Sequence, residues 1–326
     1  MVKNNPLVSI IIPLKKCNDY VEENIKALLT SSYANFEIIV VPDSAEKKTF
    51  PKTIIIPTGN VGPAVKRDKG AEIAKGEILA FIDDDAYASK DWLKNAVDLF
   101  DKENISAVCG PGVTPPTDSI LQKVSGAFSA SLFGGGPYTY RFIPQPARFV
   151  DDYPSMNFLI RKTDFWSVAG FDTKYWPGED TKLCHDLTKT RKKKILYHPS
   201  VLVYHHRRAI FLQHLLQNGR YGLHRGYFAR ILPKTSLRIS YFIPSFLVIS
   251  FLLLPAFFFL QKQLFLLDLF LISFYFVLAA VSAVLSLFQE KHIGVALLLF
   301  PTIVATHLFY GVKFLQGFFL TRKLKQ

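Results

Sequence analysis

Between Ile239 and Leu320 the chain carries three apolar stretches that a water-soluble domain would not tolerate. Ile239–Leu260 has no charged residue over about 22 positions, long enough to cross the hydrocarbon core of a bilayer. Leu264–Phe288 has one, Asp268, near its start, and Ile293–Leu320 is interrupted only by Pro301, His307 and Lys313. None of the three has the polar face that a helix on a globular surface needs. A helix satisfies its own backbone inside lipid, so an all-α transmembrane region with three hydrophobic segments is expected over 237–326. Arg322, Lys323 and Lys325 follow the last stretch. With the N-terminal part inside, three crossings put these cations outside, against the positive-inside rule; two crossings and a re-entrant third segment bring them back. Both counts stay open.

The residues just ahead, 210–236, read as an amphipathic interfacial helix. Phe211, Leu212, Leu215, Leu216, Leu223, Tyr227, Phe228 and Ile231 recur at helical spacing, with Arg220, Arg225, Arg230, His214 and His224 among the polar positions. A basic amphipathic helix before a hydrophobic tract suits the headgroup layer. Gly219, Gly222 and Gly226 weaken it in isolation, so it must dock on something. The formal net charge is +13, and many Lys and Arg flank the apolar segments, which favours anionic lipid as the partner. No basic stripe with interleaved aromatics offers a base-stacking platform, so no nucleic acid is expected. Cys17, Cys109 and Cys184 are scattered without a C-x-x-C pair, which fits a reducing compartment. Met1–Pro6 leads into a strand without a signal peptide, so residues 1–209 are expected to stay in the cytoplasm.

Those residues have another rhythm. Leu7–Ile12, Phe36–Val41, Thr53–Ile56, Ile78–Ile82, Ile105–Cys109, Met156–Ile160, Ile195–Tyr197 and Val201–Tyr204 read as strands. Helices are predicted over Asp19–Thr30, Ala64–Lys75, Lys90–Phe100, Thr163–Val168 and Thr181–Thr190. Strands alternating with helices imply a doubly wound α/β domain whose sheet is mostly parallel, with ligands bound beyond the carboxyl ends of the strands.

Polar residues gather at those ends. Ile78–Ile82 closes on Asp83-Asp84-Asp85, three carboxylates that repel unless a cation such as Mg²⁺ or Mn²⁺ joins them; capping of the next helix is the other reading. Asp43 follows an earlier strand, and the loop around Gly62 is only a loose phosphate cradle. Lys66 and Arg67 either reach a diphosphate or form a solvated helix face. Glu179-Asp180 is either a general base beside its orienting partner or a helix cap. His205-His206-Arg207-Arg208 offers imidazole to a metal and guanidinium to phosphate, or is a polar strand end facing acidic lipid. Gly134–Asp152, with Tyr138, Tyr140, Arg141 and Arg148, reads as a long flexible loop, either a lid or a plain surface excursion.

Val8-Ser9-Ile10-Ile11-Ile12-Pro13, Phe36–Ser44 and Gly76–Asp85 resemble, in order and spacing, the large second family of GT-A glycosyltransferases. Met156–Arg161, Gly170-Phe171-Asp172, Gly178-Glu179-Asp180 and Tyr204-His205-His206 extend the resemblance over roughly Leu7 to Arg208, and the tail is similar to succinoglycan-type exopolysaccharide enzymes. The resemblance implies a GT-A (Rossmann-like) catalytic domain over 1–209, with Pro13, Asp43, Arg67, Asp83 and Asp84 at the nucleotide sugar. Asp43 would face the base and Arg67 the diphosphate. It implies Asp85, Asp83 and His205 at a divalent Mg²⁺ or Mn²⁺, Asp180 as base with Glu179 beside it, and Asn157, Trp176 and Arg208 toward the acceptor. Two departures stand out: Pro42 replaces the first acid of the usual Asp-Asp pair, and the Q-x-x-R-W motif of processive synthases is absent.

The activity so implied is inverting transfer from a UDP- or GDP-sugar to a lipid-linked, polyprenyl-type saccharide in cell-surface polysaccharide or glycoconjugate synthesis. It would take place at the cytoplasmic face of the inner or plasma membrane, on a multi-pass protein. A polyprenyl-phosphate monosaccharide synthase is the alternative enzyme, and a catalytically inactive membrane scaffold the alternative of another class.

Overall fold

The computed structural model describes residues 5–101, 105–171, 175 and 178–324; Asp172, Trp176 and Lys325 lie outside them. Two compact units emerge, and their segments interleave. One comprises 1–113 and 143–206, the other Thr114–Phe142 and Arg207–Lys325.

In the first unit, β1 (Val8–Pro13), β2 (Phe36–Val41), β3 (Thr53–Ile55) and β4 (Ile78–Ile82) pair parallel in the order β3-β2-β1-β4. The apolar runs of β1, β2 and β4 are buried on both faces, as a covered parallel sheet requires, while β3 at the edge is partly exposed. Helices cover the connections: α1 (Asp19–Leu29), α2 (Pro63–Ile73) and, later, α3 (Trp92–Phe100). The Asn18 side chain caps α1 by accepting from the Val21 N–H at 2.9 Å. β5 (Ala86–Ala88), β6 (Ile105–Cys109) and β7 (Gly112–Val113) come next, followed after residue 142 by β8 (Arg148–Val150), β9 (Asn157–Arg161), α6 (Lys162–Ser167), α7 (Glu179–His185), β10 (Lys194–Tyr197) and β11 (Val203–His205).

The main sheet continues β4-β9-β6-β10-β8. β9 lies antiparallel between β4 and β6. It follows β8 and a short loop, so no crossover helix imposes the parallel, right-handed connection that governs the other strands. β5, β11 and β7 form a separate small sheet. Strands of two and three residues such as β7 and β5 are too short to show a periodic pattern.

The second unit is helical: α4 (Ile120–Ala130), α5 (Leu132–Gly135), a 3₁₀ turn over Gly136–Arg141, α8 (Leu212–Ile231), α9 (Pro233–Ser236), α10 (Ile239–Leu260), α11 (Lys262–Glu290) and α12 (Ile293–Leu315). The sequence pattern suggests boundaries near residues 209 and 236, but Thr114–Phe142 falls in this unit, where α4 completes the core. Val124, Ala127 and Phe128 are buried with Ala279, Ala283, Val295, Leu299 and Ile303. The flexible loop expected from Gly134 onward is helical up to Arg141, with Tyr138, Tyr140 and Arg141 buried. Ser131 starts that turn, accepting from the Gly134 N–H through its side chain at 3.0 Å.

Three helices, Ile239–Leu260, Lys262–Glu290 and Ile293–Leu320, are long and apolar enough to cross a membrane. Pro301 does not break the last of these, which is continuous through Leu315. α8 docks on α12, as its glycines require. A Cβ at Gly226 would lie 2.2 Å from the Phe314 carbonyl oxygen, and one at Gly317 would lie 2.0 Å from that of Leu223. Both obstacles are backbone atoms that cannot swing aside. Leu212 and Leu216, in the first turns of α8, are exposed. Gly226→Val is therefore expected to destabilise the helical unit by about 1–3 kcal/mol through overpacking. Thermal unfolding of the detergent-solubilised protein measures this, and an unchanged midpoint would contradict so close a helix contact.

Candidate active site

The acidic part of the site is assembled where β4 hands over to β5. After Ile82 the chain turns, with the Ala86 N–H donating to the Asp83 carbonyl at 3.2 Å. β5 then pairs antiparallel with β11, setting His205 opposite Ala86. This register brings His205 Nε2 to 3.0 Å from Asp85 Oδ1. One ligand atom from each of Asp83, Asp85 and His205 falls within 4.8 Å of the others. Two carboxylates and an imidazole at that spread fit one Mg²⁺- or Mn²⁺-type cation. The helix-cap reading of the aspartates fails, because β5 intervenes and Asp91 occupies the position before α3. Asp84 accepts from Asn18 Nδ2 at 3.1 Å.

α2 supplies the link to the rest. Lys66 and Arg67 are 3% and 5% exposed, so the solvated-face reading is corrected: both point inward and meet acids. Arg67 Nη2 lies 2.8 Å from Asp83 Oδ1 and Nη1 lies 3.1 Å from Glu179 Oε1. Burial works against the guanidinium's charge, but Asp83 and Glu179 more than offset it and move its pKa upward. Lys66 Nζ reaches Asp43 Oδ1 and the Leu14 carbonyl, tying α2 to the ends of β1 and β2. Pro13 is the last residue of β1, opposite Val41.

Glu179 and Asp180 open α7 with Gly178 at the cap position, so neither acts as the N-cap. Glu179 is held at both oxygens, accepting from Arg67 and, at 2.9 Å, from the Gly178 N–H. Asp180 is only half-buried and accepts from the Thr181 N–H at 2.8 Å. Burial, then the charges of Glu179 and Asp152, push its carboxyl up to about 7. A carboxylate tuned to that range can take a proton near neutral pH.

Other expected residues fall elsewhere. Asn157 is 0% exposed and bonded at both ends: Nδ2 donates to the Gly110 and Val201 carbonyls at 2.7 and 2.8 Å, and Oδ1 accepts from Trp92 Nε1 at 2.9 Å. Its acceptor-side placement is corrected, since a fully enclosed side chain cannot meet a substrate. His206 stacks on Tyr20 with centroids 4.4 Å apart and pairs with Glu23 at 2.9 Å, a structural role. Arg207, in the helical unit, is buried over Phe142 and donates to Thr114 Oγ1 at 3.2 Å. Arg208 is exposed, and Trp176 lies outside the described residues. Sequence reasoning missed the Lys66–Asp43 pair and the bond from Thr181 Oγ1 to Asp152 Oδ1 at 2.9 Å. Consecutive cations one turn into a helix that follows a glycine loop were the available signal for the first; nothing in the sequence marked the second.

A mostly parallel α/β sheet with Asp83, Asp85 and His205 gathered at its strand ends, linked through Arg67 to a Glu-Asp pair, is the architecture of a GT-A domain. Residues 9–168 match the model of Glycosyl transferase family 2, and the chain belongs to that family. Among curated relatives, a glucosyl-dolichyl phosphate glucuronosyltransferase of Haloferax volcanii is 23% identical over 56% of this chain and 63% of its own length. The UDP-Glc:alpha-D-GlcNAc-diphosphoundecaprenol beta-1,3-glucosyltransferase WfaP of Escherichia coli is 32% identical over 30% of this chain and 43% of its own. The chain spans about half the length of the first curated relatives it matches. A solved structure, the mannosyltransferase PcManGT of Pyrobaculum calidifontis in complex with GDP-Man and Mn²⁺, aligns with TM-score 0.57 at 18% identity. That alignment covers 97% of this chain and 88% of the other, and establishes likeness of fold.

Proposed function

We propose that the chain is a membrane-bound, inverting glycosyltransferase that moves one sugar from a UDP- or GDP-sugar to a lipid-linked, polyprenyl-type saccharide. The observation that carries this reading is the Arg67 bridge. One guanidinium holds Asp83 of the metal triad and Glu179 of the Glu-Asp pair, so donor-side and acceptor-side chemistry share one network.

Asp83, Asp85 and His205 would hold a divalent cation, and such a cation would supply Lewis-acid neutralisation of the leaving diphosphate. Asp43 and Pro13, at the ends of β2 and β1, border the nucleoside side of the crevice. Asp180 accepts the proton of the acceptor hydroxyl as that oxygen bonds to the anomeric carbon and the bond to the diphosphate oxygen breaks on the opposite face. Glu179, fixed by Arg67 and Gly178, orients its neighbour and raises its basicity. The three apolar helices support multi-pass membrane attachment. Arg225, Arg230, Lys234 and Arg238, ahead of α10, favour the cytoplasmic side for that end by the positive-inside rule. Both relatives described above carry a lipid-linked saccharide in their names, which favours such an acceptor over bare polyprenyl phosphate.

The test is incubation of purified protein with radiolabelled nucleotide sugars, Mn²⁺ or Mg²⁺, and either a lipid-linked saccharide or undecaprenyl phosphate. Label is expected on the saccharide; label on undecaprenyl phosphate alone makes the chain a monosaccharide synthase, and no turnover of any donor makes it a scaffold. Asp85→Asn is expected to lose transfer and its stimulation by metal together.

A further inference from the structure

α2 carries three consecutive polar residues, and two of them already have work. Lys66 turns to Asp43, and Arg67 turns to Asp83 and Glu179. The third, Asp68, is half-buried and has none of the roles expected from the sequence. Its Oδ1 accepts from the Phe171 N–H at 3.0 Å, across 103 positions of chain.

The turn that donates is shaped for this contact. Gly170 has a φ of 73°, a left-handed backbone that glycine adopts freely and larger residues do not. A Cβ there would also lie 2.8 Å from Asp68 Oδ1, so glycine is what lets the carboxylate come close. The Phe171 ring is buried, meeting Phe81 edge-on with centroids 5.1 Å apart and Phe165 at 5.4 Å. Phe81 belongs to β4, just ahead of Asp83. On another side, Arg67 Cζ lies 5.7 Å from the Phe171 ring centre. One ring therefore rests against the strand that delivers Asp83 and Asp85 and against the guanidinium that joins Asp83 to Glu179.

Burial pushes the Asp68 carboxyl up to about 7, even though the Phe171 N–H favours its charged form. The contact thus needs an acceptor oxygen at that place more than it needs a full charge, and an amide oxygen can supply one. From this geometry we infer that Asp68 is a positioning residue for transfer. It holds the Gly170-Phe171 turn, the turn sets the Phe171 ring against Arg67, and Arg67 so placed fixes Glu179 beside Asp180. The inference rests on the proposed function for the part it gives Asp180.

Two readouts test it, and one is independent of transfer. Hydrogen exchange of the full chain in detergent, followed by mass spectrometry, reports on two amides: Phe171, bonded to Asp68, and Gly178, bonded to Glu179. Asp68→Ala is expected to speed exchange at Phe171 about tenfold, the loss of one hydrogen bond, and to speed it at Gly178 as well. Asp68→Asn is expected to keep wild-type protection at both. In steady-state transfer, Asp68→Ala is expected to lower kcat about tenfold or more by misplacing Glu179, with the KM for the donor unchanged, and Asp68→Asn to restore kcat. Phe171→Leu keeps the N–H but loses the ring. It is expected to lower kcat in the same way, and it decides the matter should Asp68→Ala fail to fold. Wild-type kcat in Asp68→Ala or Phe171→Leu overturns the inference, as does an Asp68→Asn variant as slow as Asp68→Ala, or a slower kcat accompanied by a raised donor KM. A wild-type protein that transfers no sugar defeats the proposed function instead. Exchange at Gly178 then still decides whether Asp68 places Glu179, and no change there in Asp68→Ala overturns the inference.

Discussion

Replacing Asp180 by Asn is expected to lower sugar transfer by about 10²–10⁴-fold while leaving donor binding intact. The variant keeps the shape of the side chain and an oxygen for the Thr181 N–H, so α7 should start as before. What it removes is the carboxylate proposed to take the proton. The wild-type pH profile gives the second half of the test. Burial and the nearby charges of Glu179 and Asp152 push Asp180 up to about 7, so the base form is scarce below neutrality and accumulates above it. Transfer at saturating donor should rise with pH through that value, and the rise should vanish in Asp180→Asn. The same shift acts on stability with a definite sign. A carboxyl whose folded pKa exceeds its unfolded value holds its proton more tightly when folded, so its contribution falls as pH rises from about 4 to 7. An Asn variant that keeps wild-type turnover, or a flat wild-type profile, would remove Asp180 from the reaction.

Arg67→Met should be costly in a different way. The methionine approximates the volume but leaves Asp83 and Glu179 without their shared cation. Arg67 and Glu179 are both buried, and among the described residues Glu179 then keeps the Gly178 N–H alone. Removing one partner of a buried ion pair destabilises by about 3–5 kcal/mol, because the remaining charge stays uncompensated. Denaturant unfolding should register this loss, and activity should fall even at temperatures where the protein stays folded, since Asp83 and the Glu-Asp pair are no longer held to one another. Arg67→Lys retains a charge but spans only one of the two carboxylates and should lie between. If Arg67→Met retained both stability and turnover, the bridge would be incidental to the site.

The two substitutions separate roles that sequence spacing left merged. Lys66 and Arg67 are adjacent in the chain, and nothing in that order says which acid each one meets. The helix turns them toward different strand ends, Lys66 to Asp43 and Arg67 to Asp83. Asn157 shows the opposite case: a polar residue on a strand near the crevice, yet fully enclosed and occupied in joining β9 to two loops. A strand's sequence gives alternation of faces but does not say whether a loop will close over an end. His205 and His206 are likewise neighbours with unrelated work, because His205 closes β11 and His206 lies just beyond it. One joins the acids and the other stacks on Tyr20.

The amino-acid order alone determined the parallel core of the sheet, the acids at its strand ends and the three lipid-length helices. Each is a local pattern, since continuous apolar runs, their lengths and the residues that stop them are written consecutively. Tertiary structure alone decided that β9 runs antiparallel, that Thr114–Phe142 joins the helical unit, and that arginines more than eighty positions apart gather over Tyr138. Those outcomes depend on which distant surfaces complete one another's burial, and that complementarity exists only once the chain has folded.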